Sequence, residues 1–278
     1  MQRISVPLEK VELNITELCN RTCSFCPRSV DYPNQDFHMS LNVAYEALRQ
    51  TSRYTNFISI TGRGEPLLAH NFLDILEMCV KMGKHVRITT NGDKLDSMFD
   101  DIHSLVNLKK PYESLYHKLR INSYDSEDQH NDRLKKWGMY KGIKFINQQS
   151  SEISYSNHDK IFGGKLTNRG GFFPWASQSF LDDPCFYLYG RTIINWNGDV
   201  NLCCMNWKNI KRFGNILQQD FQKIWEGEEM VRWRSVLSKP NGRARFDTCA
   251  ECDAKPIDDE EKHYKMWKLN QIQPYKFK

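Results

Sequence analysis

From Val11 to about Gly142, short β-rich runs alternate with longer segments whose apolar residues recur every three or four positions. The runs at 11–16, 57–61, 85–90, 115–122 and 142–147 read as strands, and 41–52, 71–82, 94–108 and 126–137 read as helices between them. Phe72, Ile75, Leu76 and Val80 trace one such helical stripe. This alternation predicts parallel strands in an open or partial (βα) barrel, an architecture that gathers functional loops at the C-terminal ends of its strands.

The pattern changes after about residue 150. Residues 148–157 are polar and serine-rich, and Gly163-Gly164 and Gly170-Gly171 punctuate the next stretch of chain. Two β-rich runs, 191–196 and 199–203, flank Asn197-Gly198, a strong hairpin signal. A helix is predicted over 217–237, and the cysteine pattern ends on a Cys-x-x-Cys at Cys249 and Cys252. With no internal repeat, the chain divides into a main domain over 1–180 and a small cysteine-bearing domain over 181–278.

Composition narrows the class. The 278 residues are 40% hydrophobic and 26% charged, the make-up of an ordinary globule with chain enough for a proper core. No stretch approaches the roughly 18–20 uninterrupted apolar residues of a membrane span. The N-terminus lacks the apolar core of a secretory signal, which predicts a cytoplasmic protein. The formal charge of +5 is spread along the chain rather than gathered in runs, which argues against nucleic acid as a partner. The densest basic stretch, 232–245, reads as the solvated face of an amphipathic helix, and the acidic run 258–261 as solvated too.

Nine cysteines are an odd number, and a reducing compartment disfavours disulfides, so metal or cluster ligation becomes the expectation. They fall into two groups with Cys79 apart, in an apolar helix where it reads as a core residue. The first group, Cys19, Cys23 and Cys26, has the spacing C-x3-C-x2-C directly after the first predicted strand. Three thiolates in one loop hold three corners of a cubane and leave its fourth iron without a protein ligand. An open coordination site suggests chemistry rather than scaffolding.

This motif, with Phe25 just before its third cysteine, resembles the signature of the radical S-adenosylmethionine (SAM) superfamily. The resemblance implies a [4Fe-4S] cluster on Cys19, Cys23 and Cys26, SAM chelated to its free iron, and reductive cleavage of SAM to a 5′-deoxyadenosyl radical. Gly62-Arg63-Gly64-Glu65-Pro66 after the second strand resembles the family's glycine-rich segment, which implies that Gly64, Glu65 and Pro66 meet the SAM amino group. Thr90 and Asn91, ending the third strand in Thr89-Thr90-Asn91-Gly92, are implied to face the same pocket, and Asn122 and Ser123 to contact the ribose. A zinc site is the competing reading of the three cysteines, but it needs a fourth ligand from elsewhere.

The second group is Cys185-x12-Gly198-x4-Cys203 followed by Cys249-x2-Cys252. With Gly214-Asn215-Ile216 and Ile224-Trp225, it resembles the SPASM and Twitch domains in the version that holds one auxiliary cluster. Four cysteine ligands would close the coordination sphere of a second [4Fe-4S] cluster, which then carries electrons. Cys204 is expected on the opposite face of the strand from Cys203. A zinc ribbon on the same four thiolates, a binding module without catalysis, is the alternative. Together the resemblances imply an α/β fold: a partial (βα)6 TIM-like barrel with a small C-terminal Fe–S domain of β-hairpin plus helix. Seven bound thiolates and two cores of about +2 each would add roughly −3, which brings the holoprotein nearer neutrality.

Leu166-Thr167-Asn168-Arg169-Gly170-Gly171 resembles a segment of the superfamily's aminocyclitol dehydrogenases. That implies oxidation of a carbinol in a cyclitol, amino sugar or similar small polar molecule, with the auxiliary cluster accepting an electron and a flavodoxin or ferredoxin reducing the first. Arg169 is then the catalytic candidate. A guanidinium is a poor base, so hydrogen bonding to an alkoxide-like oxygen is the role expected. The rival is a maturase acting on a ribosomal peptide, although only 18 residues precede Cys19, too few for the peptide-recognition domain many such enzymes carry.

Overall fold

A computed structural model describes residues 6–111, 118–147, 167–173 and 182–254. Five strands come first: β1 (Lys10–Asn14), β2 (Phe57–Thr61), β3 (His85–Thr90), β4 (Leu119–Ser123) and β5 (Ile143–Asn147). Between them run α1 (Leu41–Thr51), α2 (Phe72–Lys81), α3 (Phe99–Val106) and α4 (Glu127–Trp137). Ser40 and Ser126 cap α1 and α4 by accepting hydrogen bonds from the backbone N–H groups of Val43 and Gln129. The helix expected over 94–108 is broken by Met98 into a 3-10 turn (Leu95–Ser97) and α3. The start of the strand expected over 115–122 and the segment 148–157 lie outside the described residues.

The remaining elements are β6 (Arg191–Asn195), β7 (Asp199–Asn201), β8 (Arg212–Asn215), α5 (Phe221–Trp225), α6 (Glu228–Leu237) and α7 (Asp247–Ala250). All eight strands form one sheet in the order β5-β4-β3-β2-β1-β6-β7-β8. The pairs from β5 through β1 to β6 are parallel, so β6 supplies a sixth parallel strand, and β7 and β8 continue the sheet antiparallel. This is the partial α/β barrel expected, with the C-terminal hairpin grafted onto its β1 edge. Gly198 makes the hairpin turn at φ 87°, a left-handed conformation that favours glycine.

Period-two alternation sorts the parallel strands. Val11, Leu13, Ile58, Ile60, Ile88, Leu119 and Ile121 are fully buried, and with Phe72, Ile75, Leu76 and Ile102 of the helices they form the core. Cys79 is part of that core, as its setting suggested. The opposite strand faces carry Glu12, Asn14, Thr61, Thr89 and Asn122 to an interior cavity. Among the described residues no helix is long and apolar enough to cross a membrane.

Two expectations are corrected. The helix over 217–237 is two helices, because Gly227 lies in an extended turn where a Cβ would stand 2.3 Å from the Lys223 carbonyl oxygen. The basic stretch 232–245 is not uniformly solvated: Arg234 and Arg243 are buried. Arg234 donates to the carbonyls of Leu188 (2.8 Å) and Trp225 (2.6 Å), with its guanidinium 3.9 Å from the Trp225 ring centroid. Periodicity registers neither, because a buried arginine and a solvated one read alike. Trp225 donates in turn to the Val6 carbonyl at 3.0 Å, so this packing ties the C-terminal helices to the start of β1. Arg234→Ala strands two buried carbonyls and should cost about 2–4 kcal/mol in urea unfolding, against under about 0.5 for exposed Arg232→Ala.

Candidate active site

The C-terminal ends of the parallel strands surround a cavity of about 310 Å³. Cys19, Cys23 and Cys26 share its wall with Phe25, Gly64, Glu65, Thr90, Asn91, Asn122, Arg169 and Cys203. The cysteine loop is held by local bonds: Asn34 accepts from the Cys19 N–H at 2.9 Å and donates to the Cys19 carbonyl at 3.0 Å, while the Cys26 N–H donates to the Cys23 carbonyl at 2.8 Å. A longer-range clamp fixes it to the barrel. Arg21 donates both to Asp93 beyond β3 (2.6 and 2.7 Å) and to Asp125 beyond β4 (2.5 and 2.8 Å), two forked charge-assisted pairs from one guanidinium. Nothing in the spacing of the motif announces this arginine, since its partners lie far along the chain.

Gly64 is required by close approach: a Cβ there would stand 2.5 Å from the carbonyl oxygens of Leu18 and Thr16. Gly62 lies at φ 136° with the Asn14 side chain where its Cβ would be. Between them the Arg63 N–H donates to Asn14 Oδ1 at 2.9 Å. The buried Arg63 guanidinium bonds Tyr32 Oη (2.8 Å) and the Asn206 carbonyl (2.6 Å), and lies 5.4 Å from the ring centroids of both Tyr32 and Trp207. It thereby joins the glycine-rich segment to the loop after Cys203 and Cys204.

Glu65 is buried and accepts three hydrogen bonds, from Thr90 Oγ1 (2.6 Å), the Asn91 N–H (2.7 Å) and the Leu67 N–H (3.1 Å). Burial nonetheless pushes its pKa from 4.5 up to about 7. Asn91 is oriented by donating to Asn20 Oδ1 at 2.9 Å. Tyr124, which the sequence did not single out, lines the cavity with its ring centroid 5.6 Å from that of Phe25. Pro66 does not reach the cavity but starts a 3-10 turn. Ser123 is also outside it: strand alternation turns its hydroxyl toward Arg133 Nη1 (3.2 Å) and His130 Nδ1 (3.3 Å), not toward Asn122's side.

Cys185, Cys203, Cys249 and Cys252 come together beside the cavity, close enough that each of the other three acts electrostatically on Cys203. Arg243 faces Cys249 and Cys252, an adjacent cation that periodicity alone placed in solvent. Cys204 corrects an expectation: it lines the same cavity as Cys203. β7 ends at Asn201, so the two cysteines sit in a turn where alternation no longer applies. Asn168 fixes the Arg169 segment to the last cysteine loop, its N–H donating to Asp253 at 2.7 and 2.9 Å and its side-chain amide to the Glu251 carbonyl. Arg169 follows at φ 53°, with its Nε buried and without a hydrogen bond among the described residues. Leu166 lies outside those residues.

The donor chemistry fits iron–sulfur clusters. Burial pushes every thiol of both groups for which a shift is resolved above its ordinary value, Cys23 to about 12, so their thiolates need a compensating positive core. Among the described residues no three His, Cys, Asp or Glu side chains converge on a single ion. Residues 13–139 match the Radical SAM superfamily, and residues 185–253 match the SPASM iron–sulfur cluster-binding domain. The chain carries a radical SAM domain followed by a SPASM domain. It therefore uses SAM and [4Fe-4S] clusters, one to bind SAM and one auxiliary.

This radical SAM protein is 25% identical over 260 residues to the S-adenosyl-L-methionine-dependent 2-deoxy-scyllo-inosamine dehydrogenase of Niallia circulans, covering 91% of this chain and 96% of that one. It is 26% identical over 224 residues to the GTP 3′,8-cyclase of Pasteurella multocida (strain Pm70), covering 63% and 64%. Its fold resembles BtrN in complex with AdoMet and 2-DOIA, with a TM-score of 0.71 at 20% identity over 94% of this chain and 97% of that one. Streptococcus suis SuiB bound to precursor peptide SuiA is similar at 0.53 and 16% identity, over 90% and 72%.

The raised Glu65 pKa has a signed consequence. Below pH 4.5 the group is protonated in both folded and unfolded chains; as pH rises through about 7 the unfolded chain ionises first and folded-state stability falls. Glu65→Gln removes that loss, on the order of 3 kcal/mol. Urea unfolding of SAM-free protein should show the variant gaining on the parent between pH 5 and 8.

Proposed function

We propose that this enzyme is a radical SAM dehydrogenase that oxidises a carbinol of a small hydroxylated molecule, such as a cyclitol or amino sugar, with the auxiliary cluster accepting an electron. The supporting observation is the shared cavity wall: Cys203 of the second thiol group faces the same space as Cys19, Cys23 and Cys26, with Arg169 beside them. Residues 1–180 carry the radical SAM core in this reading and 181–278 the auxiliary cluster. A flavodoxin or ferredoxin supplies the reducing electron.

When bound, SAM and the first cluster would supply hydrogen-atom abstraction at the carbinol carbon, and the second cluster would accept the electron left behind. The chain does the positioning. Cys19, Cys23 and Cys26 would hold the first cluster, and Cys185, Cys203, Cys249 and Cys252 the second. Glu65, with Asn91 beside it, offers a carboxylate to the SAM amino group, whose positive charge favours its ionised form. Phe25 and Tyr124 close one wall against water. Arg169 donates to the substrate oxygen and stabilises it as its proton leaves. Its buried Nε, without a hydrogen bond among the described residues, is suited to a partner that arrives with the substrate.

Reconstituted protein should hold about eight irons, and Cys19→Ser/Cys23→Ser/Cys26→Ser about four, by iron assay and Mössbauer spectroscopy. An unchanged iron count in the triple variant would refute the two-site assignment. With dithionite and SAM the parent should form 5′-deoxyadenosine, and with the right cyclitol a ketone detectable by mass spectrometry. Arg169→Gln should lower ketone formation by a factor of about 100.

A further inference from the structure

Beside the second thiol group lies a buried cation that the proposed dehydrogenation has not yet used. α6 ends at Leu237, whose carbonyl accepts from the Cys185 N–H at 2.7 Å. The chain turns back at Gly242, where a Cβ would stand 2.0 Å from the Val236 carbonyl oxygen, and enters a 3-10 turn, Arg243–Arg245. Trp233 of α6 stacks on Phe246 with ring centroids 3.6 Å apart and planes 9° from parallel, which pins that turn. The Cys249 N–H donates to the Phe246 carbonyl at 2.8 Å and the Cys252 N–H to the Cys249 carbonyl at 3.1 Å, so the turn and the Cys-x-x-Cys form one hydrogen-bonded run.

Two arginines leave this turn for opposite settings. Arg245 is exposed, whereas Arg243 is only 2% exposed. Arg243 Nη1 donates at 2.5 Å to the carbonyl of Ala254, two residues past Cys252. Its Nε is buried and has no hydrogen bond among the described residues. A buried N–H without an acceptor is costly, so its position is explained by an acceptor that arrives with a ligand. The surroundings say which ligand: the guanidinium charge acts on both Cys249 and Cys252 and favours their thiolate forms. Asp253 opposes it at Cys252, but both carboxylate oxygens of Asp253 already accept from the Asn168 N–H.

We infer that Arg243 is the counter-cation and hydrogen-bond donor of the auxiliary cluster, its Nε–H directed to a sulfur of that cluster, and that it raises the cluster's reduction potential. Four thiolates around a core of about +2 carry about −2, and gaining one electron makes that about −3. A fixed, buried positive charge stabilises the more negative state more, and a hydrogen bond to a sulfur acts in the same direction. In substrate oxidation this sets the direction of transfer: the electron left on the carbinol carbon after hydrogen abstraction passes to the oxidised auxiliary cluster, the C–O bond becomes a carbonyl, and the hydroxyl proton leaves. That use rests on the dehydrogenase proposed above; the effect on potential does not.

The test is a redox titration of the reconstituted full chain followed by EPR, in which the auxiliary cluster's step is the one that persists in Cys19→Ser/Cys23→Ser/Cys26→Ser. Arg243→Gln should lower that midpoint by at least about 59 mV, a tenfold change in the reduced-to-oxidised ratio for one electron. Arg245→Gln, which removes an exposed and screened charge two residues away, should change the ratio less than about twofold. An auxiliary midpoint that Arg243→Gln leaves in place, or that Arg245→Gln lowers equally, would overturn the inference. A second measurement keeps Arg243 intact and so stands even if its variant does not fold. The triple cysteine variant, labelled with guanidino-15N arginine and reduced, should show a 15N hyperfine coupling to its remaining cluster, and absence of that coupling refutes the Nε contact. Ketone formation by the parent tests the dehydrogenase separately: a shifted midpoint without ketone leaves the tuning role standing, and ketone with an unshifted midpoint refutes the tuning role alone.

Discussion

Six strands running in the same direction end at one rim, and every candidate cofactor contact depends on that parallel register. The cysteine loop follows β1, the glycine-rich segment follows β2, and Thr90 and Asn91 close β3, so segments well separated in sequence meet without any of them having to travel. Antiparallel neighbours would have sent alternate loops to opposite ends. The Arg21 clamp then converts proximity into a fixed arrangement, because one guanidinium holds the tips beyond β3 and β4 against the cysteine loop.

The arrangement costs folding energy. Cluster thiols, Glu65 and Lys10 are all held where burial disfavours their charged forms. Some of that cost is offset by buried networks that are themselves well bonded: Arg28 spans the Arg63 carbonyl (2.9 Å) and the Glu17 carboxylate (3.7 Å), and Tyr32 donates to Glu17 at 2.8 Å. In the proposed function the rest is relieved by the bound cofactors, since clusters would bring positive cores to the thiolates and SAM an ammonium to Glu65.

The two thiol groups are coupled through protein rather than placed side by side by chance. β6 pairs with β1, Arg63 reaches from the glycine-rich segment to the Asn206 carbonyl, and Gln50 of α1 bonds the Ile216 carbonyl and the Phe221 N–H at 2.9 and 2.7 Å. Asn168 extends the coupling to Arg169, whose backbone is set by the last cysteine loop. A hydrogen-bonded connection therefore runs from the last cysteine loop to the residue proposed to touch substrate.

What the chain announces locally was legible without coordinates. Cysteine spacing, the Gly-x-Gly-Glu-Pro run, the Asn-Gly turn and the period of each strand and helix are short-range patterns, because ligand geometry, turn chemistry and side-chain alternation act over a few residues. Contacts across long separations were not. Arg21 meets Asp125 across 104 positions and Arg63 meets Asn206 across 143, and each reads in sequence as another surface cation. The same limit explains Cys204, Ser123 and Arg243: their facing depends on where a strand stops or what packs against a helix. The fold class and ligand inventory are therefore properties of the sequence, whereas the shared cavity and its clamp arise only when strand register brings residues far apart in the chain within a few ångströms of one another.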